Sequence, residues 1–384
     1  MIHVLAVVGT RPEAIKMAPL IRELKQQSWV KCTVALTAQH RDLLDRALAA
    51  FDVKGDIDLD LMRPNQSLGE ITGRAFAGLD SVLRDMKPDI VLAQGDTTTV
   101  MVTALTSFYQ NIPFGHVEAG LRTGDLRNPF PEEMNRVFAG KVAALHFAPT
   151  AQSAGALLSE GIDPATVHLT GNTVIDALLH MRKEAAALKL ELPEGARLVL
   201  MTSHRRENFG APMSEAFGAV RQLVEDREDL HVLFPVHPNP NVKEQVDRHL
   251  RGHPRIHLSD PLDYEEFTAA MDRADLILTD SGGVQEEAPA LGKPVLVMRR
   301  ETERPEAVEF GVVKLIGTDA NAIRDWVGRL LDNPDDYAGM SRGVSPYGDG
   351  LAARRIVQAV ADHFGVETGQ DRLDSFDPER AARA

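Results

Sequence analysis

Cysteine is almost absent from this chain of 384 residues, with Cys32 standing alone. An intrachain disulfide and a thiolate metal cluster are both excluded. A reducing, cytoplasmic setting is the expectation that follows. Excess positive charge is also missing. The formal net charge is −14, a poor default for nucleic acid or an anionic membrane. No apolar run approaches the ~18 residues of a spanning helix. The opening MIHVLAVVGTRPEA has no basic n-region, so a secretory leader is not expected. There is no G-x-G-x-x-G, no Walker A sequence and no H-E-x-x-H. These gaps count against a dinucleotide-dependent oxidoreductase, a P-loop NTPase and a zinc enzyme. No metal and no cofactor are expected.

What is present is a steady alternation. Apolar runs occupy Ile2–Val8, Thr33–Thr37, Ile90–Ala93, Pro113–Val117, Leu145–Ala148 and Val167–Thr170. A second set occupies Leu198–Thr202, His231–Val236, Ile256–Leu258, Ala274–Thr279, Pro294–Met298 and Val312–Ile316. Amphipathic stretches such as Ala14–Gln26 and Leu43–Phe51 lie between them. Alternation of this kind implies βαβ units and mainly parallel sheets covered on both faces. Twelve runs overfill one ordinary doubly wound sheet, so two Rossmann-like domains are expected. The boundary is placed at Gly171-Asn172, giving domains 1–171 and 172–350. A last helix covers 351–364. The tail 365–384 is polar, lacks an apolar period and is expected to be frayed or disordered.

Ligands of open α/β sheets bind beyond the carboxyl ends of the strands, and chemistry-bearing residues recur at that place. Thr279-Asp280-Ser281-Gly282-Gly283-Val284-Gln285-Glu286-Glu287 follows a strand and opens a helix. Its glycines permit close backbone approach, and its opening N–H groups suit a phosphate. Ser281 can add a hydroxyl, and Glu287 would face a ribose diol. Arg11 and Lys16 lie on the opening turns of another helix and could clamp an acidic group. His204-Arg205-Arg206 and the Arg299, Arg300, Arg304 cluster suit a diphosphate or a surface ion-pair network. Asp96, Glu118, Glu132 and Glu133 are the candidate acid/base groups. Glu132 sits in a loop stiffened by Pro129 and Pro131. His237-Pro238-Asn239-Pro240 marks a rigid turn.

The motifs, in order, resemble one family. They are Gly9-Thr10-Arg11-Pro12-Glu13, Thr37-Ala38-Gln39-His40-Arg41, Gln94-Gly95-Asp96-Thr97 and His116-Val117-Glu118-Ala119-Gly120-Leu121-Arg122. Pro129-Phe130-Pro131-Glu132-Glu133 with Asn135-Arg136, Gly171-Asn172-Thr173, His204-Arg205-Arg206-Glu207-Asn208 and the Asp280-Ser281-Gly282-Gly283 segment with Gln285-Glu286-Glu287 follow. Arg300-Glu301-Thr302-Glu303-Arg304-Pro305-Glu306 and Tyr347-Gly348-Asp349-Gly350 complete the set. The chain resembles the bacterial non-hydrolysing UDP-N-acetylglucosamine 2-epimerases over roughly residues 1–364.

The resemblance implies a glycosyltransferase-B fold, with two Rossmann-like domains facing across a cleft and the last helix returning to the first. It implies interconversion of UDP-GlcNAc and UDP-ManNAc by elimination of UDP and re-addition to 2-acetamidoglucal, without metal or NAD. That activity would provide ManNAc-type sugars for cell-surface polysaccharide, in a cytoplasmic homodimer. By resemblance Asp96, Glu118 and Glu132 are acid/base residues, and His204 helps UDP leave. Arg11, Lys16, Phe267, Ser281, Gly282, Gly283, Glu287 and Arg304 match nucleotide-binding positions. Gln39, His40, Glu132, Arg205 and His237 match an activator site for a second UDP-GlcNAc. Asp42 and Asn65 depart there, adding a carboxylate and losing a cation, so weaker activation is expected. A 2-epimerase of another UDP-sugar, a hydrolysing epimerase, a glycosyltransferase and a non-catalytic sensor are the competing readings.

Overall fold

A computed structural model describes residues 1–37, 41–61, 63, 66–184, 188–343 and 345–381. The chain divides into two compact units, Met1–Ala177 with Tyr347–Asp377, and Leu178–Pro346 with the segment from Pro378. The division falls six residues beyond the Gly171-Asn172 boundary expected from sequence. The reason is local: Asn172 donates its backbone N–H to the Tyr347 carbonyl at 2.6 Å, within the first unit.

The first unit holds seven strands: β1 (Ile2–Val8), β2 (Val30–Leu36), β3 (Ile57–Asp58), β4 (Ile90–Gln94), β5 (Phe114–Val117), β6 (Leu145–Ala148) and β7 (Val167–Leu169). All pair in parallel, in the order β3-β2-β1-β4-β5-β6-β7. The second unit holds β8 (Arg197–Thr202), β9 (Leu230–Pro235), β10 (Ile256–Ser259), β11 (Leu276–Thr279), β12 (Val295–Val297) and β13 (Val313–Leu315), also parallel, in the order β10-β9-β8-β11-β12-β13. Helices alternate with the strands in both units. Among the described residues, twelve of the thirteen strands coincide with apolar runs of the sequence. The exception, β3, is a two-residue edge strand with too little apolar surface to stand out.

The strand order reverses direction between β1 and β4, and again between β8 and β11. These are the topological switch points at which doubly wound sheets bind ligands. The interior strands β4, β5, β6, β11 and β12 are buried throughout, as both faces of a covered parallel sheet require. In the second unit Phe217 packs edge-on against Phe234 with ring centroids 5.5 Å apart, inside a core with Val199, Met201, Leu276 and Leu296. In the first unit the helix Thr98–Tyr109 buries several polar residues beside Leu5, Val91 and Phe114. Their hydroxyls are satisfied within the helix: Thr103 donates to the Thr99 carbonyl at 2.7 Å, Thr106 to Val102 at 2.9 Å and Ser107 to Thr103 at 2.7 Å. Burial therefore leaves none of these three donors orphaned.

The C-terminal helix, Ala352–His363, packs within the first unit against the helix Arg11–Gln26. Its first backbone N–H groups are capped from a distance. Asp176 accepts from Ala353 at 2.9 Å and from Ala352 at 3.2 Å. Burial pushes the Asp176 carboxyl up to about 7, against those two bonds. The folded state thus holds this proton more tightly than the unfolded chain does, whose Asp titrates at ~3.9. The resulting stability is complete below pH about 4 and is lost as pH rises through about 7. Asn imitates the protonated form. Asp176→Asn has no proton to lose there, so its thermal midpoint is expected to fall less than that of wild type between pH 6.0 and pH 8.0. Paired thermal melts at the two pH values check this.

The segment after this helix corrects the expectation of a frayed tail through Asp377. Phe376 is 2% exposed. Its N–H donates to the Leu169 carbonyl at 3.0 Å, at the end of β7. The Arg355 guanidinium lies over its ring at 5.7 Å and donates Nε–H to the Asp374 carbonyl at 2.8 Å. Gln358 accepts from the Leu373 N–H at 2.8 Å. One aromatic anchor and backbone bonding hold this strip, and neither leaves a periodic signature.

Candidate active site

The turn after β1 is the first element of the site. Thr10 caps the helix Arg11–Gln26, and Glu13 completes a capping box by accepting from the Gly9 N–H at 2.5 Å and the Thr10 N–H at 3.1 Å. Gly9 is required by packing, since a Cβ there would meet the Thr99 and Thr37 hydroxyls at 2.5 and 2.8 Å. Burial raises the Glu13 carboxyl to about 7, although the Thr97 hydroxyl and the two turn amides pull it down. Arg11 opens the helix, half-buried.

Beside this turn, at the end of β5, stands Glu118. Its backbone is left-handed, φ 62°, a conformation that costs a non-glycine residue about 1–3 kcal/mol when strained and persists only where neighbours impose it. The neighbours are specific. Lys16 Nζ donates to both Glu118 oxygens at 2.9 and 2.6 Å, and Gln94 Nε2 donates to Oε2 at 2.5 Å. Glu118 is buried, and the Lys16–Glu118 ion pair is largely screened from water.

Asp96 follows β4. Burial is the main influence on its carboxyl and raises it. Arg136 opposes that shift, Glu118 reinforces it, Lys16 opposes it and Glu132 reinforces it. The net direction is upward. Three candidate carboxylates and one candidate lysine therefore share one electrostatic neighbourhood. Arg136 Nε lies 3.5 Å from Asp96 Oδ2 and 3.1 Å from Glu133 Oε2. Glu133 is structural: its Oε1 accepts the Thr123 and Gly124 N–H groups at 3.0 and 3.1 Å. Glu132 opens the helix Glu132–Val142 and is half-buried. A carboxylate raised by burial beside other charged groups, as Asp96 is, suits acid/base work.

The second unit builds a different site around Asp280, fully buried at the end of β11. Asp280 gathers the loop after β8. It accepts from the Ser203 hydroxyl at 3.0 Å, the His204 N–H at 2.9 and 3.0 Å, the Arg205 N–H at 3.0 Å and Asn208 Nδ2 at 3.2 Å. His204 Nδ1 is also 3.2 Å away. Burial would raise the Asp280 carboxyl, but the His204 side chain and the loop amides outweigh it and hold it below the usual range. His204 stacks on His237 with ring centroids 5.6 Å apart. Burial and the His204 ring both lower the His237 pKa.

Ser281, Gly282 and Gly283 form the N-terminus of the short helix Gly282–Glu287. The Ser281 hydroxyl makes no capping bond there. The Arg205 guanidinium approaches Gly282, with Nη2 3.6 Å from the position of a Cβ, and its buried Nε has no hydrogen-bond partner in the structure. Buried Glu287 accepts from the Tyr264 hydroxyl at 2.7 Å. Arg304 is paired with Glu286, and Arg299 with Glu207 at 2.7 Å. The basic cluster thus has acidic partners of its own. Phe267 is half-buried on the helix Tyr264–Arg273.

The structure brings together Lys16, Asp96, Glu118 and Glu132 in one unit, and His204, Arg205, His237, Ser281, Gly282 and Gly283 in the other. Gln39, His40 and Asn65 lie outside the described residues, as does the Asp42 side chain. Sequence reasoning missed the partners: Gln94 and Lys16 on Glu118, Arg136 on Asp96, Tyr264 on Glu287 and Asp280 beneath His204. Lys16, Gln94, Arg136 and Asp280 stood in the recognised motifs, but nothing in those motifs said which side chain each would meet. Among the described residues, no group of three His, Cys, Asp or Glu side chains is arranged to hold a metal ion. No helix among them is long and apolar enough to cross a membrane.

The model of the UDP-N-acetylglucosamine 2-epimerase family matches residues 22–361. The chain is 49% identical over 376 residues to the UDP-N-acetylglucosamine 2-epimerase of Bacillus subtilis, covering 98% of each. Among solved structures it is similar to the Neisseria meningitidis UDP-GlcNAc 2-epimerase bound to UDP-GlcNAc, at TM-score 0.85 and 44% identity, covering 94% of this chain and all of that one. The Methanocaldococcus jannaschii UDP-GlcNAc 2-epimerase in complex with UDP-GlcNAc and UDP gives TM-score 0.75 and 32% identity over 94% of this chain and all of that one. A glycosyltransferase of kitacinnamycin, at 13% identity and TM-score 0.62, shares the fold. The two parallel sheets and their switch-point sites define a two-domain α/β protein of the glycosyltransferase-B class. The chain belongs to the UDP-N-acetylglucosamine 2-epimerase family.

Proposed function

We propose that this protein interconverts UDP-GlcNAc and UDP-ManNAc without net hydrolysis, by eliminating UDP and adding it back. The observation that carries the reading is the cluster of Asp96, Glu118 and Glu132, with the Asp96 carboxyl raised in the shared field. C2 of the sugar is not adjacent to a carbonyl, so its proton is hard to remove alone. Loss of the C2 proton to a carboxylate, with departure of UDP from C1, leaves 2-acetamidoglucal. Delivery of a proton to the opposite face of C2, as UDP re-forms the bond to C1, completes the inversion. The net reaction needs no oxidant and no water. It does need proton carriers for both faces and a firm hold on UDP between steps.

In this reading the first unit supplies proton transfer through Asp96, Glu118 and Glu132, with Lys16 and Arg11 facing acidic groups of the substrate. The second unit holds UDP. Ser281, Gly282 and Gly283 meet phosphate, Glu287 meets the ribose, Phe267 the uracil and Arg304 the nucleotide, while His204 assists the leaving diphosphate. Tyr264 orients Glu287, and Asp280 orients His204. The Neisseria and Methanocaldococcus relatives bind UDP-GlcNAc, which supports the substrate. Arg205 and His237 beside His204 support the activator site, with Gln39 and His40 as its other members.

The reading includes a homodimer, supported by Phe108 and Tyr109, each 60% exposed at the end of one helix of the first unit. It also includes a cytoplasmic setting, supported by the single cysteine, Cys32, which leaves no intrachain disulfide. Its product would enter ManNAc-type surface polysaccharide.

The test is incubation of EDTA-treated protein with UDP-GlcNAc in deuterated water, followed by proton NMR. UDP-ManNAc carrying deuterium at C2, formed without added NAD, is the expected result. Free ManNAc with UDP would replace this reading by a hydrolysing one. Binding without turnover would replace it by another UDP-sugar or a sensor.

A further inference from the structure

The two peptide groups that flank Asp96 are each pinned by a buried side chain from a different element. His116 Nε2 lies 2.7 Å from the Gly95 carbonyl oxygen. Asn135 Nδ2 donates to the Asp96 carbonyl at 2.9 Å. His116 comes from β5, where it pairs in register with Ala93 of β4. Asn135 comes from the helix Glu132–Val142. His116 is fully buried and Asn135 is 1% exposed.

Both side chains are otherwise unexplained. A buried histidine two residues before Glu118 has no packing need that an apolar ring would not meet, since its ring stacks on Phe114 at 5.9 Å. Burial lowers its pKa to about 4, even against the bond to Gly95. The ring is therefore neutral at working pH, with Nε2 carrying the proton toward Gly95, because a carbonyl can only accept. Its Nδ1 is buried with no partner, a cost that apolar packing alone would not retain. Gly95 itself has φ 92°, open only to glycine without strain. Its N–H donates to the Val117 carbonyl at 3.0 Å. The turn is thus held on both faces by the strand that carries Glu118.

We propose that His116 and Asn135 are positioning residues for Asp96, fixing the peptide planes on either side of it so that its carboxyl keeps one orientation through both proton transfers. Asn135 also ties that turn to the helix that presents Glu132, beside the approach of Arg136 to the Asp96 carboxyl at 3.5 Å, so one hydrogen bond and one ion pair bear on the spacing of the two carboxylates. The inference rests on the proposed epimerase reading. Proton transfer is steep in distance, and misplacement by about 1 Å can cost on the order of 10²-fold.

The experiment measures kcat, KM and UDP affinity for Asn135→Leu, His116→Phe and His116→Gln. Leu keeps the volume and removes the donor. Phe keeps the stacked ring and removes the donor. Gln restores a donor toward Gly95. Asn135→Leu and His116→Phe are each expected to lower kcat about 30- to 100-fold, with UDP affinity and KM within threefold of wild type. His116→Gln is expected to recover kcat to within about fivefold. Near wild-type kcat in both donor-less variants overturns the inference. So does an equal loss of kcat and UDP affinity in all three, which marks a structural role. If the Phe variant does not fold, Asn135→Leu decides the matter alone. A wild-type enzyme inactive on UDP-GlcNAc overturns the functional reading instead, and is distinguished because it shows in the unsubstituted protein.

Discussion

Asp96→Asn is expected to lower kcat by roughly 10³–10⁴-fold, the upper range for a positioned acid or base, while UDP affinity stays within threefold. The substitution keeps the side chain's shape and leaves the Asn135 bond to the Asp96 carbonyl in place. It removes the group that can take and return a proton, and with it the charge that faces Arg136 at 3.5 Å. Glu118→Gln is expected to lose kcat to a similar extent. It also releases Lys16 from its buried partner, so its thermal midpoint should fall where that of Asp96→Asn does not. Deuterium wash-in at C2 separates chemistry from binding: both variants should bind UDP-GlcNAc and leave its C2 proton unexchanged. Exchange at the wild-type rate in either variant would remove that residue from the mechanism.

Asp280→Ala is expected to be the most damaging change in the second unit, although Asp280 touches no ligand in the proposed reading. The substitution strands the Ser203 hydroxyl, the His204 and Arg205 amides and the Asn208 amide around an empty, buried position. Each buried donor left without a partner typically costs about 1–3 kcal/mol. The loop that presents His204 and Arg205 would lose its anchor. A lower urea midpoint and a loss of UDP affinity of about 30-fold or more are expected. The pH dependence has a definite sign. The folded carboxyl lies below its ordinary range, so the unfolded chain binds this proton more readily. Its stabilisation is present above pH about 4 and is lost as pH falls through the folded value. Asp280→Asn should flatten that acid limb. Wild-type UDP affinity in Asp280→Ala would refute the anchoring role.

Much of this protein is legible in the order of its residues. The apolar runs mark twelve of the thirteen strands, because buried parallel strands must be apolar on both faces. The candidate carboxylates and the Ser281-Gly282-Gly283 turn stand out because strand ends are where open sheets bind ligands. Partners do not stand out. Gln94 reads as the first residue beyond the Ile90–Ala93 run, and nothing local says that it donates to Glu118 across β4 and β5. Asn135 and His116 read as helix and strand residues, and their target carbonyls lie 39 and 21 positions away. The strip 365–377 reads as unstructured because its single anchor, Phe376, has no period to reveal it.

The class of fold, the alternation of strand and helix, and the residue types that gather beyond the strand ends are all readable from the order of residues. Those features follow from local periodicity and from the chemistry of single side chains. The tertiary structure decided which carboxylates share a field, which way the Asp96 and Asp280 pKa values move, and what holds the Asp96 turn still. Burial and long-range hydrogen bonds set these properties, and both depend on neighbours that the chain order does not place side by side.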